Sequence, residues 1–438
     1  MSSVSSVLEQ PQPAAPRTHS QPEVVASIAP ELPASSSPLR AFKNRDFLLL
    51  LTGAFVSNIG TWMERVAVGV WVTETTGKAA ATGFVTAMLF LPVAILAPIG
   101  GALTDRAERR SWLLRCSIAQ AVVAAVLALL ASLHVLTVPL MGLLMFLTGC
   151  TSVLLTAGFN ALIADLMDRK DLTSAMFLNS GQWNMARIVG PLLAAPVVAF
   201  GSASLALWLN ALSFAGVIYA VVKMRFPPQK PHSAGETLKQ SLMTGIRTAR
   251  DDAGIFSALA ITGLAGLFIA PFIGLIPVFA LQVLNEGPAA ASLLVAAQGT
   301  GAVVAALVSA SLLDRVGAAA WLRGTCVAAV GVTAAFWLAP SLGWALAAMV
   351  VLGAVYLSLV TSTSRVALGK APPGTQARVA SLFHMMLDTT YALGVIAAGA
   401  AADLIGLREV GVATAVIFGA LMLALARSRR HLFVSLQS

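Results

Sequence analysis

Along residues 47–427 long apolar runs alternate with short polar or basic interruptions. A helix needs ~20 consecutive apolar residues to cross the hydrocarbon core. Such runs fall at 47–73, 79–104, 111–133, 138–163, 173–200, 203–224, 254–284, 288–313, 319–338, 342–366, 378–404 and 408–427. They lack the two-residue alternation of a porin-type strand, and an open strand edge in lipid would leave backbone groups unpaired. The pattern therefore predicts about twelve transmembrane helices.

The interruptions carry the topology. Arg40, Lys43 and Arg45 precede the first run, Arg106, Arg109, Arg110 and Arg115 surround the second connection, and Arg169 and Lys170 occupy the fourth. The basic residues of 223–250, then Arg315, Arg323, Lys370, Arg378, Arg427, Arg429 and Arg430, continue the series, whereas the opposite connections hold Lys78 and Arg408. By the positive-inside rule both termini are expected in the cytoplasm. The longest polar stretch, 225–253, divides the runs six and six. Within it Leu238, Leu242, Ile246 and Ala249 recur at helical spacing among Lys239, Arg247 and Arg250, predicting an amphipathic helix on the inner leaflet. Residues 1–38, rich in Pro, Ser and Ala, are expected to form a disordered cytoplasmic tail, and they lack the basic start and apolar core of a signal peptide. The expected division is a tail at 1–38, a six-helix bundle at 39–224, a linker at 225–253 and a second six-helix bundle at 254–438.

The halves look related. Thr52-Gly53 recurs as Thr262-Gly263 and Gly77 as Gly287 at an offset of 210, Asp105-Arg106 recurs as Asp314-Arg315 at 209, and Gly149 pairs with Gly353 and Gly190 with Gly394 at 204. A 6+6 duplication is a transporter plan with its site between the halves at mid-membrane.

Composition narrows the class. Of 438 residues 58% are hydrophobic and only 11% charged, too few to solvate a globular surface, so the chain reads as an integral membrane protein whose partner is the lipid bilayer. The net charge of +9 sits at the ends of apolar runs rather than in a stripe with exposed aromatics, which argues against nucleic acid. Cys116, Cys150 and Cys326 have no metal-ligand spacing and read as packing residues. No phosphate-cradling loop, zinc-protease pair or nucleophile elbow occurs, so neither a catalytic set nor a metal or cofactor is expected. Any uphill transport by this chain must draw on an ion gradient.

The sharpest motif is GGALTDRAERR, 100–110, at the end of the second run. Here the chain resembles the major facilitator superfamily, whose loop between helices 2 and 3 carries Gly-x-x-x-Asp-Arg-x-Gly-Arg-Arg. Gly101, Asp105, Arg106, Arg109 and Arg110 match, and Glu108 stands where the pattern has glycine, a residue that tolerates a positive φ. With Asp314 and Arg315, these residues are expected to form a conformational gate that pairs with the opposing bundle in one state and releases it in another; a plain positive-inside stop is the alternative. The stretches 42–77, 163–191, 209–220, 275–284 and 376–386 look like the enterobactin-exporter and macrolide-efflux branch (transmembrane secretion effectors). The resemblance implies export of siderophores, macrolides or other bulky amphipathic compounds in exchange for protons, and hence drug resistance. RIVGPLLAAP is similar to the helix 5 antiporter motif: Gly190 and Pro191 match, while Ala194 and Ala195 replace the later glycines. Small residues allow close helix approach and proline permits a kink, which suits a bendable seam or simple packing.

Polar groups interrupt these runs where lipid would penalise them. In LNSGQWNMARIVGP, 178–191, Asn179, Trp183, Asn184 and Arg187 fall inside the fifth run; Asn58, Trp62, Glu64 and Arg65 fall in the first, and His384 and Asp388 in the eleventh. A charge left facing lipid at the bilayer centre costs ~2.5–3.5 kcal/mol on insertion scales, so these residues are expected to line a substrate and proton-coupling cavity. The resemblance places helices 1, 5 and 11 around such a cavity. Arg187 cannot shuttle protons, whereas Glu64 and Asp388 can. His384 lies four residues before Asp388 on one face, and Trp183 shares a face with Arg187, where it could stack on the guanidinium or on a flat, anionic solute. The alternatives are a hydrogen-bonding His384, a snorkelling Glu64 and Arg65, and Trp62 as an interfacial belt residue. The fold expected is an all-α membrane protein of twelve helices in two pseudo-symmetric bundles. The function expected is proton-driven export of a small-molecule substrate by a monomer in a bacterial inner membrane. An importer or uncoupled facilitator, and a non-transporting membrane sensor, are the rival readings.

Overall fold

A computed structural model describes residues 40–226 and 238–428. Within its helices the side chains at 97–102, 105, 106, 169, 238, 239, 241, 310–314 and 428 are not described. The expected tail, and the linker residues 227–237, lie outside the described residues.

Among the described residues, twelve segments are helical, long and apolar enough to cross a membrane. In chain order the helices are α1 (Arg45–Thr76), α2 (Ala79–Arg106), α3 (Arg109–Ser132), α4 (Val138–Leu166), α5 (Arg169–Phe200), α6 (Ala203–Lys223), α7 (Leu238–Asp251), α8 (Ala253–Phe268), α9 (Phe272–Val278), α10 (Pro288–Val316), α11 (Ala318–Trp337), α12 (Leu342–Gly369), α13 (Gln376–Ile405) and α14 (Leu407–Ser428). Asn44 starts α1 by accepting from the amides of Asp46 and Phe47 at 3.0 Å. Gly77 ends it in the left-handed region at φ 62°, donating to Thr73 O at 2.9 Å. The related turn of the second half differs from expectation: Asn285, at φ 55°, takes the left-handed position there rather than Gly287.

The seventh run is not one helix. It breaks between α8 and α9 at 269–271 and ends in a π-helical turn, Phe279–Val283, closed by Leu284 N donating to Phe279 O at 3.0 Å. Pro271 and Pro277 supply no amide to the turn before them, so an unbroken helical ladder is unavailable here. Conversely, α5 continues through Pro191 and Pro196 as one helix. The helix α7 occupies the second part of the expected linker. Ile246 and Ala249 pack against the core of α8 and α13.

The packing repeats across the chain. Within the first six spans α1 lies on α5 and α6, α2 on α4, and α3 on α4 and α6. Within the last six α8 lies on α13 and α14, α10 on α12, and α11 on α12 and α14. Two of the glycine pairs read from the sequence do equivalent jobs. Gly149 brings α4 onto the Leu89 carbonyl of α2, and Gly353 brings α12 onto the Gln298 carbonyl of α10. Gly190 seats α5 against Ile59 O of α1, and Gly394 seats α13 against Leu267 O of α8. A Cβ at any of these four would collide with backbone, which is why close approach demands glycine. A third proposed pair differs, since Gly53 faces α6 whereas Gly263 faces α13.

The halves meet through α2 on α13 and α5 on α10. The first helix begins and the last helix ends at one end of the bundle, here the terminal end. A single apolar core runs through both halves and reaches the opposite, far end, including Val66, Val85, Leu275, Leu294 and Val395. Two smaller clusters lie nearer the terminal end. Phe47, Leu50, Leu113 and Ile163 form one cluster in the first half, and Ile255, Leu259, Val379 and Phe383 form another in the second.

Candidate functional site

The polar residues of α1, α5 and α13 converge at mid-depth. Successive residues on a helix point about 100° apart, so the neighbours Glu64 and Arg65 face different partners. Glu64 turns into the first half, 2% exposed, and accepts a hydrogen bond from Asn210 Nδ2 of α6. This corrects the expectation that Glu64 lines the cavity with Arg65. Arg65 turns toward α2, α5 and α13, its guanidinium 4.4 Å from the centroid of the Trp62 ring, 5.7 Å from Phe90 and 5.7 Å from Trp183.

Arg187 lies 5.3 Å from the same Trp62 ring. The sequence suggested that Trp183 would stack on Arg187, one turn along α5; instead Arg187 is held over an indole of α1 and Trp183 stands beside Arg65. Trp62 and Trp183 meet edge to face, 5.8 Å apart at 60°. Asp388 is an electrostatic neighbour of Arg65, and Tyr356 and Tyr391 neighbour Arg187. Tyr391 also packs edge-on against Phe90 at 4.8 Å. No ion pair within 4 Å joins Arg65 or Arg187 to a carboxylate among the described residues, and both Nε atoms are buried without a hydrogen-bond partner.

A cavity of about 70 Å³ opens between the halves beside Arg65, walled by Trp62, Phe90, Pro277, Val295 and Tyr391. Toward the terminal end a polar relay joins α1 to α5: Asn58 Nδ2 donates to Gln182 Oε1 at 3.0 Å, and Gln182 Nε2 donates to Asn179 Oδ1 at 3.2 Å. Asn184 stands apart, bonded to Ser180 O of its own helix at 2.9 Å. His384 is exposed, edge-on to Phe383 at 5.7 Å, and no hydrogen bond or ion pair within 4 Å links it to Asp388. The expected His384–Asp388 pair is therefore not formed.

The far end is latched by a residue the sequence did not single out. Asp403, near the end of α13, accepts from Ala79 N at 2.7 Å and Ala80 N at 3.1 Å. It caps α2 across the boundary between the halves, where Lys78 offers no side-chain cap of its own. Glycines bring the same surfaces together: Gly83 approaches Val395 O and Gly399 approaches Ala79 O.

The expected gate at the terminal end makes described contacts inside the first half. Arg109, nearly fully buried, donates from Nε to Asp165 Oδ2 of α4 at 3.2 Å and from Nη1 to Thr104 O. Arg110 Nη2 donates to Val222 O of α6 at 3.0 Å. These contacts tie the α2–α3 turn to α4 and α6, not to the opposing half. Glu108 needs no left-handed conformation, having φ −66°, and its carboxylate caps α3 by accepting from Ser111 N at 2.8 Å and Arg110 N at 3.1 Å. Hydrogen bonds to Ser111, and then that of Arg110 and its charge, hold the Glu108 carboxyl below its usual range. Arg315 is exposed in the last turn of α10, while the side chains of Gly101, Asp105, Arg106 and Asp314 lie outside the described residues.

Tyr356, Tyr391, Phe90, Gln182, Asn210 and Asp403 complete the arrangement beyond the residues read from the sequence. Gln182 lies within the quoted stretch 178–191, and Asp403 was visible as a carboxylate at a helix end. The tyrosines carried no sequence signal beyond their polar tips.

A family model described as transmembrane secretion effector matches residues 36–435. Macrolide efflux protein A of Streptococcus pyogenes is 22% identical over 244 residues, 55% of this chain and 60% of that protein. The staphyloferrin A transporter of Staphylococcus aureus is 23% identical over 150 residues, 34% of this chain and 38% of that one. The chain thus spans less than two thirds of the length of these relatives. Among solved structures, a bacterial homolog to the human lysosomal transporter Spinster, inward-facing and unoccupied, has a TM-score of 0.72 at 15% identity, covering 90% of this chain and 98% of that one.

Proposed function

The chain belongs to the transmembrane secretion effector family of major facilitator transporters, and from that premise we propose that it exports a small amphipathic compound, siderophore or drug-like, in exchange for protons. It is a multi-pass transporter of the bacterial plasma membrane, not an enzyme. Two of its relatives, a macrolide efflux protein and a staphyloferrin A transporter, support an outward direction and a bulky solute. The basic residues at the terminal end support a cytoplasmic position for that end. The Asp403 latch then closes the exit, which suits a carrier that loads from the terminal end. The two six-helix halves rock about the mid-depth site, the chain works as a monomer, and the proton gradient takes the place of any cofactor.

The observation that carries this reading is Arg65 at mid-depth, held among Trp62, Phe90 and Trp183 with Asp388 as its electrostatic neighbour. A carboxylate there can hold a proton or attract the guanidinium, but not both with full strength. Proton entry from the far side weakens its hold on Arg65 and resets the carrier. Inverted membrane vesicles test the reading: uptake of a panel of fluorescent drugs and a siderophore is followed with and without a proton gradient. Accumulation that requires the gradient supports antiport, and accumulation indifferent to it refutes antiport.

A further inference from the structure

The charge of the transported solute can be read from the mid-depth site, on the premise that this site carries the transport proposed above. Two guanidiniums surround one indole, and neither is neutralised: Arg65 and Arg187 lie 4.4 and 5.3 Å from the Trp62 centroid. Glu64 is committed to Asn210, which leaves Asp388 as the carboxylate facing Arg65 and none within ion-pair distance of either arginine among the described residues.

Aromatic rings satisfy only the flat faces of a guanidinium. Its N–H donors lie in the plane, and the Nε of both arginines is buried without an acceptor. Trp62 and Tyr391, both more than nine-tenths buried, bring an unpartnered indole Nε1 and phenol oxygen to the wall of the mid-depth cavity that Arg65 lines, with Arg187 5.3 Å from the Trp62 centroid. So many buried donors around so little negative charge call for an acceptor from outside. A planar oxyanion such as a carboxylate supplies acceptors in the geometry that guanidinium donors prefer. The cavity, at about 70 Å³, is smaller than the ~300 Å³ or more of a drug-sized pocket, but large enough for an anionic head group.

We propose that Arg65 and Arg187 seat the oxyanion of an amphipathic aromatic solute, whose ring rests on the Trp62–Trp183 pair. The site thereby selects anions over neutral or cationic compounds of the same shape.

The test uses the full-length protein in lipid nanodiscs and three probes that share one ring system: 1-naphthoate, 1-naphthamide and 1-naphthylmethylammonium, titrated calorimetrically without any gradient. Naphthoate should bind about ten-fold tighter than naphthamide, the ammonium should bind weakest, and Arg65→Gln and Arg187→Gln should each cost naphthoate about ten-fold while leaving naphthamide within about two-fold. Equal binding of the three probes by the unmodified protein, no binding of naphthoate, or variants that weaken naphthamide as much as naphthoate would overturn the proposal. The unmodified protein alone suffices for the first two outcomes, so the test does not depend on the variants folding. Binding is read at equilibrium, so its failure leaves gradient-driven efflux standing, and gradient-indifferent efflux leaves the binding result standing.

Discussion

Replacing Asp403 with alanine removes the cap that joins the halves at the far end. The carboxylate accepts from Ala79 N at 2.7 Å and Ala80 N at 3.1 Å, and Lys78 cannot replace it. Loss of an N-terminal cap costs ~0.5–2 kcal/mol, and the negative charge at a helix N-terminus adds ~0.3–1 kcal/mol. These contributions overlap, so a loss of about 1–2 kcal/mol is expected, a shift of roughly five- to thirty-fold in the balance between closed and open far ends. The cost falls on the closed state alone, because an open far end exposes both Asp403 and the α2 amides to water. Spin labels at Val135 and Glu286, both exposed on far-end loops of opposite halves, report the separation by double electron–electron resonance once Cys116, Cys150 and Cys326 are replaced. Asp403→Ala should raise the long-distance population, and Asp403→Asn, which keeps one acceptor but no charge, should raise it less. Distance distributions that superimpose on the parent's would refute the latch.

Two further predictions concern packing and capping. Gly149→Leu and Gly353→Leu should impair insertion or thermal stability to a similar degree, because each forces a side chain onto a backbone carbonyl of the equivalent helix pair; a mild effect at one and a severe effect at the other would contradict the repeat. Glu108 has a lowered folded-state pKa, so its contribution is present above the usual glutamate value and fades as pH falls through the lowered one. Melting curves of the parent and Glu108→Ala should therefore differ at neutral pH and converge in acid, whereas a difference that grows in acid would contradict the cap.

The transmembrane plan was legible because length and apolarity alone define a bilayer-spanning helix, and the structure moves the predicted ends by only a few residues. The break in the seventh run was hidden: Pro271 and Pro277 sit in unbroken apolar sequence, where neighbouring helices rather than composition decide whether the backbone stays helical. The burial of Arg65 and Arg187 among aromatics was foreseen only as a shared cavity, because pairing across helices depends on rotation about each axis. That rotation sends Glu64 to Asn210 and Arg65 to Trp62, although the two are adjacent in sequence. It also exchanges the expected tryptophan partner of Arg187. Asp403 looked like an ordinary charge at a helix end, and only the position of α2 makes it a cap.

If the proposed transport runs through the mid-depth arginines, removing one of them abolishes it. In inverted vesicles driven by a proton gradient, Arg187→Ala should reach the membrane at parental levels with a parental gel-filtration profile and accumulate none of the fluorescent compounds the parent moves. Parental accumulation by that variant would contradict the account.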